Sequence, residues 1–410
     1  MMCPQLTVSG WLDKWDDHHS WNHGSLADHS RAFNPEAFLS SKENITMGIC
    51  VSKPSVRHDY NEDYGRNYGA DTAQASSNTS SSDSEWEQSP PHSPRQPVAA
   101  DIPDRAKDKI SALRESYYRS QMSSNPNLLD YAKNILDNIE YRQSNIDTLQ
   151  LDAQNLGSLA AAYNTSFSQL NLHCFDSRIA FLDHLQSHNE PGAWRGVFRL
   201  NPPTLHHVAV DVRNHSNGQK TLIVLEPITA YKDDVYPPAY LPGYPQLREE
   251  VNTRFRGNAK MSVIETDAQR SWHDCVIFSL NFALCAYQKD SAFDSLHEKL
   301  AESGYCFPGN EDSRSRLARG IELIDGKQVL PAVFYKHAHS RGTVTAVANA
   351  QPHIANDNVS TNRSSSRETL NERAEAFRVH REGGDPENYS MSIESSRARK
   401  IRKALEGVDK

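Results

Sequence analysis

Two periodicities divide this chain. Apolar residues recur every three to four positions in "NPNLLDYAKNILDNIEYRQ" (125–143), and "DIPDRAKDKISALRESYYRSQM" (101–122) turns helical behind Pro103, a residue suited to a first helical turn. In "HHVAVDVRNHSNGQKTLIVLEP" (206–227) the pattern switches: Val208, Val210 and Val212 alternate with His207, Ala209 and Asp211, which predicts a strand. "CVIFSLNFALCAY" (275–287) is almost wholly apolar and holds no Gly or Pro, which predicts a buried helix. With "LPAVFY" (330–335), these runs place the core between about 145 and 335. Outside it the pattern lapses. Residues 1–46 show no clear period, a Ser/Pro-rich run from about 74 to 100 cannot bury enough apolar surface to order itself, and the polar region after 340 ends in the basic helix candidate "SSRARKIRKALEG" (395–407). No internal repeat is present.

The pattern predicts an upstream segment 1–47, an unordered region 48–100, a helical segment 101–144, a core domain 145–340 and a flexible segment with a basic helix at 341–410. Composition agrees: 37% of the 410 residues are hydrophobic and mean hydropathy is -0.70, which fits one globular unit of roughly 200 to 250 residues with long arms. A net charge of -8 argues against general nucleic-acid binding and confines any anion site to a pocket. The six cysteines form no CxxC pair, which fits a reducing compartment and argues against a zinc site. No apolar run approaches a membrane span. "MGICVSKPS" (47–55) has the form of an N-myristoylation site, with Gly48 as acceptor and Cys50 as a second, palmitoylated anchor; on this reading Met47 is the true start.

The alternating segment also places side chains. Asn217-Gly218 is the strongest short hairpin signal. With these two residues as the tight turn, Ser216 faces Gln219, Ala209 faces Glu226 and His207 faces Ile228. Glu226 is then the diagonal neighbour of His207, about 7–8 Å away along the backbone and within reach of an imidazole–carboxylate hydrogen bond. His206 points to the other face and His215 lies too far along the ladder. A bulge would shift the register by one residue and undo the assignment.

Cys275 opens the apolar helix, where the helix dipole and unpaired N–H groups favour a reactive thiolate. His207 as base and Glu226 as its orienting partner complete a Cys-His-Glu triad, and Gln269, six residues upstream, can offer an amide to an oxyanion beside the Cys275 N–H. Taken singly, each has a plainer reading. A cysteine before an apolar helix is also what a small core residue looks like, as Cys285 and Cys306 do; His207 is also a polar strand residue, and Glu226 a strand-end carboxylate.

The order His, Glu, Gln, Cys and the segments "HVAVDV…NGQKTLIVLEP", "ETDAQRSWHDCVIFSL" and "LPAVFYKH" resemble the YopJ family of type III secreted effectors, in its plant-pathogen branch. These are serine, threonine and lysine acetyltransferases with a core like that of ubiquitin-like-protein cysteine proteases. The resemblance covers about residues 105–337, with a weaker echo in the basic tail. It implies an α+β fold: a central twisted sheet with the nucleophile helix against it, plus a helical regulatory region. It implies His207, Glu226 and Cys275 as the triad, Gln269 as the oxyanion residue and Lys336 as an autoacetylation site. It further implies acetyl-CoA as acetyl donor, an acetyl-cysteine intermediate, no metal, and inositol hexakisphosphate as activator. Arg105, Lys107, Lys109, Arg114, Arg397, Lys400 and Lys403 are the candidates to bind that activator. Host signalling proteins would be the substrates, with suppressed defence as the outcome, and the host plasma membrane the location. Two other classes stay open: a cysteine protease for ubiquitin-like conjugates, and an inert binding or decoy protein. The plainer reading of the basic residues is a solvated helix face. For Lys336 it is a solvated lysine after a strand.

Overall fold

The computed structural model describes residues 102–120, 125–140, 146–232, 239–271, 273–307, 321–360, 367–379 and 389–408. Segments 1–47 and 48–100, including the lipidation candidates Gly48 and Cys50, lie outside the described residues.

Strands β1 (Leu172–Phe175), β2 (Gly192–Arg199), β3 (His207–Asn214) and β4 (Lys220–Glu226) lead into the short hairpin β5 (Tyr231–Lys232) and β6 (Ala239–Tyr240), then β7 (Ala259–Glu265) and β8 (Glu322–Asp325). Six of them form one mixed sheet in the order β1-β2-β3-β4-β7-β8. The β2-β3-β4 meander is antiparallel; β1 joins β2, β7 joins β4 and β8 joins β7 in parallel. Alternation along the strands sorts side chains onto two faces, as a period of two requires. Val208, Val210, Val212, Leu222 and Val224 pack toward α4 (Arg178–Ser187) and α5 (Tyr244–Phe255). Ala209, Ile223 and Leu225 face the larger core, built around α6 (Cys275–Gln288).

Residues Cys275 to Ala286 of α6 are all buried, as an apolar surface on every side of a helix demands. This helix runs between the sheet and a bundle of α1 (Asp104–Arg119), α2 (Pro126–Glu140), α3 (Ile146–Ser166) and α11 (Ser392–Val408). The expected helices at 101–143 and 395–407 are thus present, and they pack on each other. The stripe on α11 that faces inward is Ile393, Arg397, Ile401 and Leu405, one residue per turn. Helices α7 (Asp290–Ser303), α8 (Gly326–Val329), α9 (Arg341–Ala350) and α10 (Leu370–Ala376), with the ribbon β9 (Arg378–Val379) and β10 (Tyr389–Ser390), complete the described unit. The strand expected before Lys336 is instead a buried 3₁₀ turn, Ala332–Tyr335, and Lys336 itself is buried.

The β3–β4 hairpin departs from expectation by one residue. Asn214 pairs with Lys220 and Ala209 with Leu225. The His215 N–H donates to the Gln219 carbonyl and the Gly218 N–H to the His215 carbonyl, so the loop holds three residues, Ser216, Asn217 and Gly218. Gly218 takes φ +82, the left-handed conformation that closes such a loop and that glycine adopts without strain. The Asn-Gly pair therefore ends a three-residue loop instead of forming a two-residue one. A shift of one residue exchanges the faces of a strand.

Candidate active site

The exchange decides which histidine meets the carboxylate. β3 begins beside the end of β4, and β7 ends there too, so the start of one strand and the ends of two others open on the amino end of α6. His206 Nε2 lies 2.9 Å from Glu226 Oε2. The Cys275 sulfur also interacts with this ring and helps it hold its proton. His207, the residue expected here, turns away: its Nδ1 donates to the Leu205 carbonyl at 2.7 Å. The ring that meets Glu226 is His206 and not the expected His207, because the three-residue loop moves every β3 side chain one place along.

The two imidazoles differ in charge. Burial opposes protonation of His206, but the Glu226 carboxylate and the Cys275 sulfur outweigh it and raise its pKa to about 10. Burial pushes His207 down to about 4, helped by neighbouring His206 and Arg199, so it stays neutral. Glu226 is fully buried and saturated with donors. Oε2 accepts from His206 and from the Tyr244 hydroxyl at 2.7 Å, and Oε1 accepts from the Ile228 N–H at 3.0 Å. Burial and the adjacent Glu226 push the Tyr244 phenol well above its usual value, so it remains a donor. Tyr244 reaches Glu226 because α5 starts directly after Gly243. That residue has φ +108, and a Cβ there would meet Leu200 at 2.7 Å.

Cys275 is the first residue of α6 and is 2% exposed; its Sγ also lies 3.4 Å from the Leu205 carbonyl oxygen. Gln269 sits on the loop between β7 and α6. Its N–H donates to the Pro227 carbonyl and its Nε2 to the Ser271 carbonyl at 2.6 Å, which leaves one amide hydrogen for another acceptor. Just before Cys275, Asp274 spends its carboxylate on other partners instead of capping α6: Arg397 of α11 and the Ser271 hydroxyl both donate to it. Arg397 also donates to both oxygens of Asp152 on α3 at 2.9–3.1 Å. Burial opposes the charge of Asp274, but the Arg397 guanidinium and Ser271 hold its carboxyl below the usual range.

The activator candidates separate into two sets. Arg397 and Lys400 are buried, Arg397 between two aspartates and Lys400 against Asn281 Oδ1 and Ser396 Oγ. Arg105 pairs with Glu368, Lys107 with Asp104 and Arg114 with Glu140, while Lys403 donates to Ser166 and lies over the Tyr163 ring. Lys109 faces other cations: burial, Arg399 and Arg402 all lower its pKa. Burial with Arg399 and Arg373 brings Lys336 down to about 8, and burial with Arg105 and Arg399 brings Arg373 to about 9. A positive field therefore collects around Arg399, between α1, α11 and Lys336. Sequence reasoning overlooked Arg373, Arg399 and Arg402. The spacing of Ile393, Ile401 and Leu405 was the available signal, since it marks Arg397 as inward-facing and leaves Arg399 and Arg402 off the buried stripe.

Among the described residues, no group of three or more His, Cys, Asp or Glu side chains could hold a metal ion. A family model described as YopJ Serine/Threonine acetyltransferase matches residues 128–403. A serine/threonine-protein acetyltransferase of Sinorhizobium fredii is 34% identical over 212 residues, covering 51% of this chain and 78% of that protein. The serine/threonine-protein acetyltransferase HopZ1a of Pseudomonas syringae pv. syringae is 28% identical over 306 residues, covering 67% of this chain and 80% of its own length. A crystal structure of HopZ1a in complex with IP6 and CoA aligns with a TM-score of 0.64 at 25% identity, over 74% of this chain and 99% of that one.

Proposed function

Because the chain belongs to the YopJ serine/threonine acetyltransferase family, we propose that it carries acetyl groups from acetyl-CoA through Cys275 to side chains of host proteins. The observation behind this reading is the His206 ring, hydrogen-bonded to the buried Glu226 carboxylate and raised in pKa by that carboxylate and the Cys275 sulfur. His206, with a pKa of about 10, already holds the proton of the Cys275–His206 pair, and the Cys275 sulfur attacks the thioester carbonyl as an anion. The bond from that carbon to the coenzyme A sulfur breaks, His206 returns the proton to the leaving sulfur, and acetyl-Cys275 remains. His206 then accepts the proton of a Ser or Thr hydroxyl, or of a neutral Lys amine, as that group attacks the acetyl carbon and expels the Cys275 sulfur. Glu226, held by Tyr244 and the Ile228 N–H, keeps the ring aimed at the sulfur. Gln269 and the Cys275 N–H are the donors for the oxyanion in both steps.

Inositol hexakisphosphate fits the cation-rich region around Arg399 on electrostatic grounds. Burial first, and neighbouring positive charge second, lowers the proton affinity of Lys109, Lys336 and Arg373, and a polyanion would offset the part due to charge. The HopZ1a complex with IP6 is the precedent. Arg105, Lys109, Arg399 and Arg402 would meet the phosphates, while buried Arg397 and Lys400 support α11 from beneath. With a pKa near 8, the Lys336 amine is partly neutral near physiological pH, which suits the autoacetylation role.

The test is incubation with labelled acetyl-CoA, with and without inositol hexakisphosphate, beside Cys275→Ala. Protein-bound label that requires both the activator and Cys275 is the expected result. No label in any lane would refute the reading and favour hydrolysis of ubiquitin-like conjugates or a binding role.

A further inference from the structure

A buried histidine holds the loop carrying Gln269 from behind. His339 follows the 3₁₀ turn and precedes α9, and it is 4% exposed. Its Nδ1 accepts from the backbone N–H of Arg270 at 3.2 Å and of Ser271 at 3.3 Å. Its backbone N–H donates to the Ala268 carbonyl at 2.9 Å. His339 therefore grips the residues on both sides of Gln269. An Nδ1 that accepts two N–H groups carries no proton, so the proton sits on Nε2, which lies 3.7 Å from Asp274 Oδ2. The ring also stands edge-on to Phe278, one turn into α6, with centroids 5.0 Å apart. A single imidazole thus spans the Gln269 loop, the residue before the nucleophile and the nucleophile helix itself.

We infer that His339 is a positioning residue for acyl transfer, fixing the Gln269 loop against the amino end of α6 so that the Gln269 amide is pre-set for the developing oxyanion. This rests on the reading of Cys275 as the acyl carrier and Gln269 as its oxyanion donor. Other tethers set the outer ends of the loop: the Ala268 and Gln269 N–H groups donate to Pro227, and Thr343 Oγ1 donates to the Asp267 carbonyl. Only the His339 ring accepts from the backbone immediately after Gln269 among the described contacts. Donors placed before reaction stabilise a transition state most, because no reorganisation is needed at the moment charge develops.

The experiment separates oxyanion stabilisation from the reactivity of the sulfur. Acetylation of Cys275 by labelled acetyl-CoA passes through an oxyanion; alkylation by iodoacetamide displaces iodide at carbon and does not. In the full chain with activator, His339→Leu is expected to slow acetylation about 10²- to 10³-fold, the loss typical of one oxyanion-hole donor, while alkylation stays within about twofold. In His339→Asn the Oδ1 occupies the place of Nδ1, and this variant is expected to recover most of the lost rate; His339→Gln, with its acceptor displaced, is not. Gln269→Ala should match His339→Leu, and the double variant should lose no more than either single, because both act through the same donor. Wild-type acetylation in His339→Leu, or alkylation falling in parallel with acetylation, would overturn the inference. Should the Leu variant fail to fold, equal rates for Asn and Gln would do the same. Failure of the wild-type chain to acetylate while it alkylates normally would instead refute the acyl-transfer reading, and the inference with it.

Discussion

Arg397→Ala removes the one cation that two buried carboxylates share. The guanidinium is 2% exposed and donates three hydrogen bonds of 2.9–3.1 Å to Asp152, with a further one to Asp274. Removing one partner of a buried pair leaves a charge without compensation and costs about 3–5 kcal/mol. We expect the upper part of that range, because two carboxylates are stranded. Among the described contacts Asp152 keeps the Tyr131 hydroxyl, and Asp274 keeps the Ser271 hydroxyl and the His339 ring 3.7 Å away. The pH dependence distinguishes charge from lost packing. Burial already pushes Asp152 up to about 6 with the guanidinium in place; without it Asp152 rises further and Asp274 rises from below its usual range. A carboxyl whose folded pKa exceeds its unfolded value stabilises the fold below the unfolded value, near pH 4, and loses that contribution as pH climbs through the folded one. The variant should therefore be about 4 kcal/mol less stable than wild type at pH 8, and the gap should narrow by at least about 1 kcal/mol at pH 5. Urea titrations followed by the fluorescence of buried Trp194, with m-values compared at each pH, measure this directly. A gap below about 1 kcal/mol at pH 8, or one equal at both pH values, would refute the assignment of Arg397 as a charge clamp.

Two further predictions concern the histidine pair and Lys336. His206→Ala should lower acetyl transfer about 10²- to 10⁴-fold, the usual worth of a general base, and His207→Ala by less than about tenfold, since its ring bonds only the Leu205 carbonyl. Single-turnover labelling of both variants decides it, and the opposite ranking would mean the hairpin register is wrong. Lys336→Met should stabilise the fold at pH 7, because a lysine whose folded pKa lies near 8, below 10.5, is charged at a cost below pH 8. The gain, up to about 3 kcal/mol, should fade between pH 8 and 10.5 in denaturant titrations; equal or lower stability at pH 7 would exclude a strained charge at this position.

The sheet, the nucleophile helix and the flanking helices were legible in the sequence because each rests on a local period. Val208, Val210 and Val212 announce a strand whatever its partner, and the residues after Cys275 announce a buried helix. What local pattern does not settle is register. Asn217-Gly218 serves a two-residue loop and a three-residue one equally well, and the choice between them exchanges His206 for His207. The supporting residues were less accessible still. His339 binds backbone N–H groups 68 and 69 positions away, and Tyr244 owes its role to the place where α5 happens to begin. Backbone partners leave no mark on the sequence that could have pointed to them. Arg397 was the exception, since its place on the stripe of Ile393, Ile401 and Leu405 shows that it turns inward.

The clamp at Arg397 also sets an order of events in time. Its two acids lie 245 and 123 residues earlier in the chain. At about 5–20 residues per second, a ribosome makes Asp274 roughly 6–25 seconds before the arginine that neutralises it. Over that interval the sheet and α6 can form, while the carboxylate before Cys275 lacks its cation and α1–α3 lack the helix they close upon. The surroundings of Cys275 are thus completed late. A growing or truncated chain that ends before α11 would hold Cys275 on a loosened helix end, so the proposed acyl carrier matures only once nearly the whole described chain has been made.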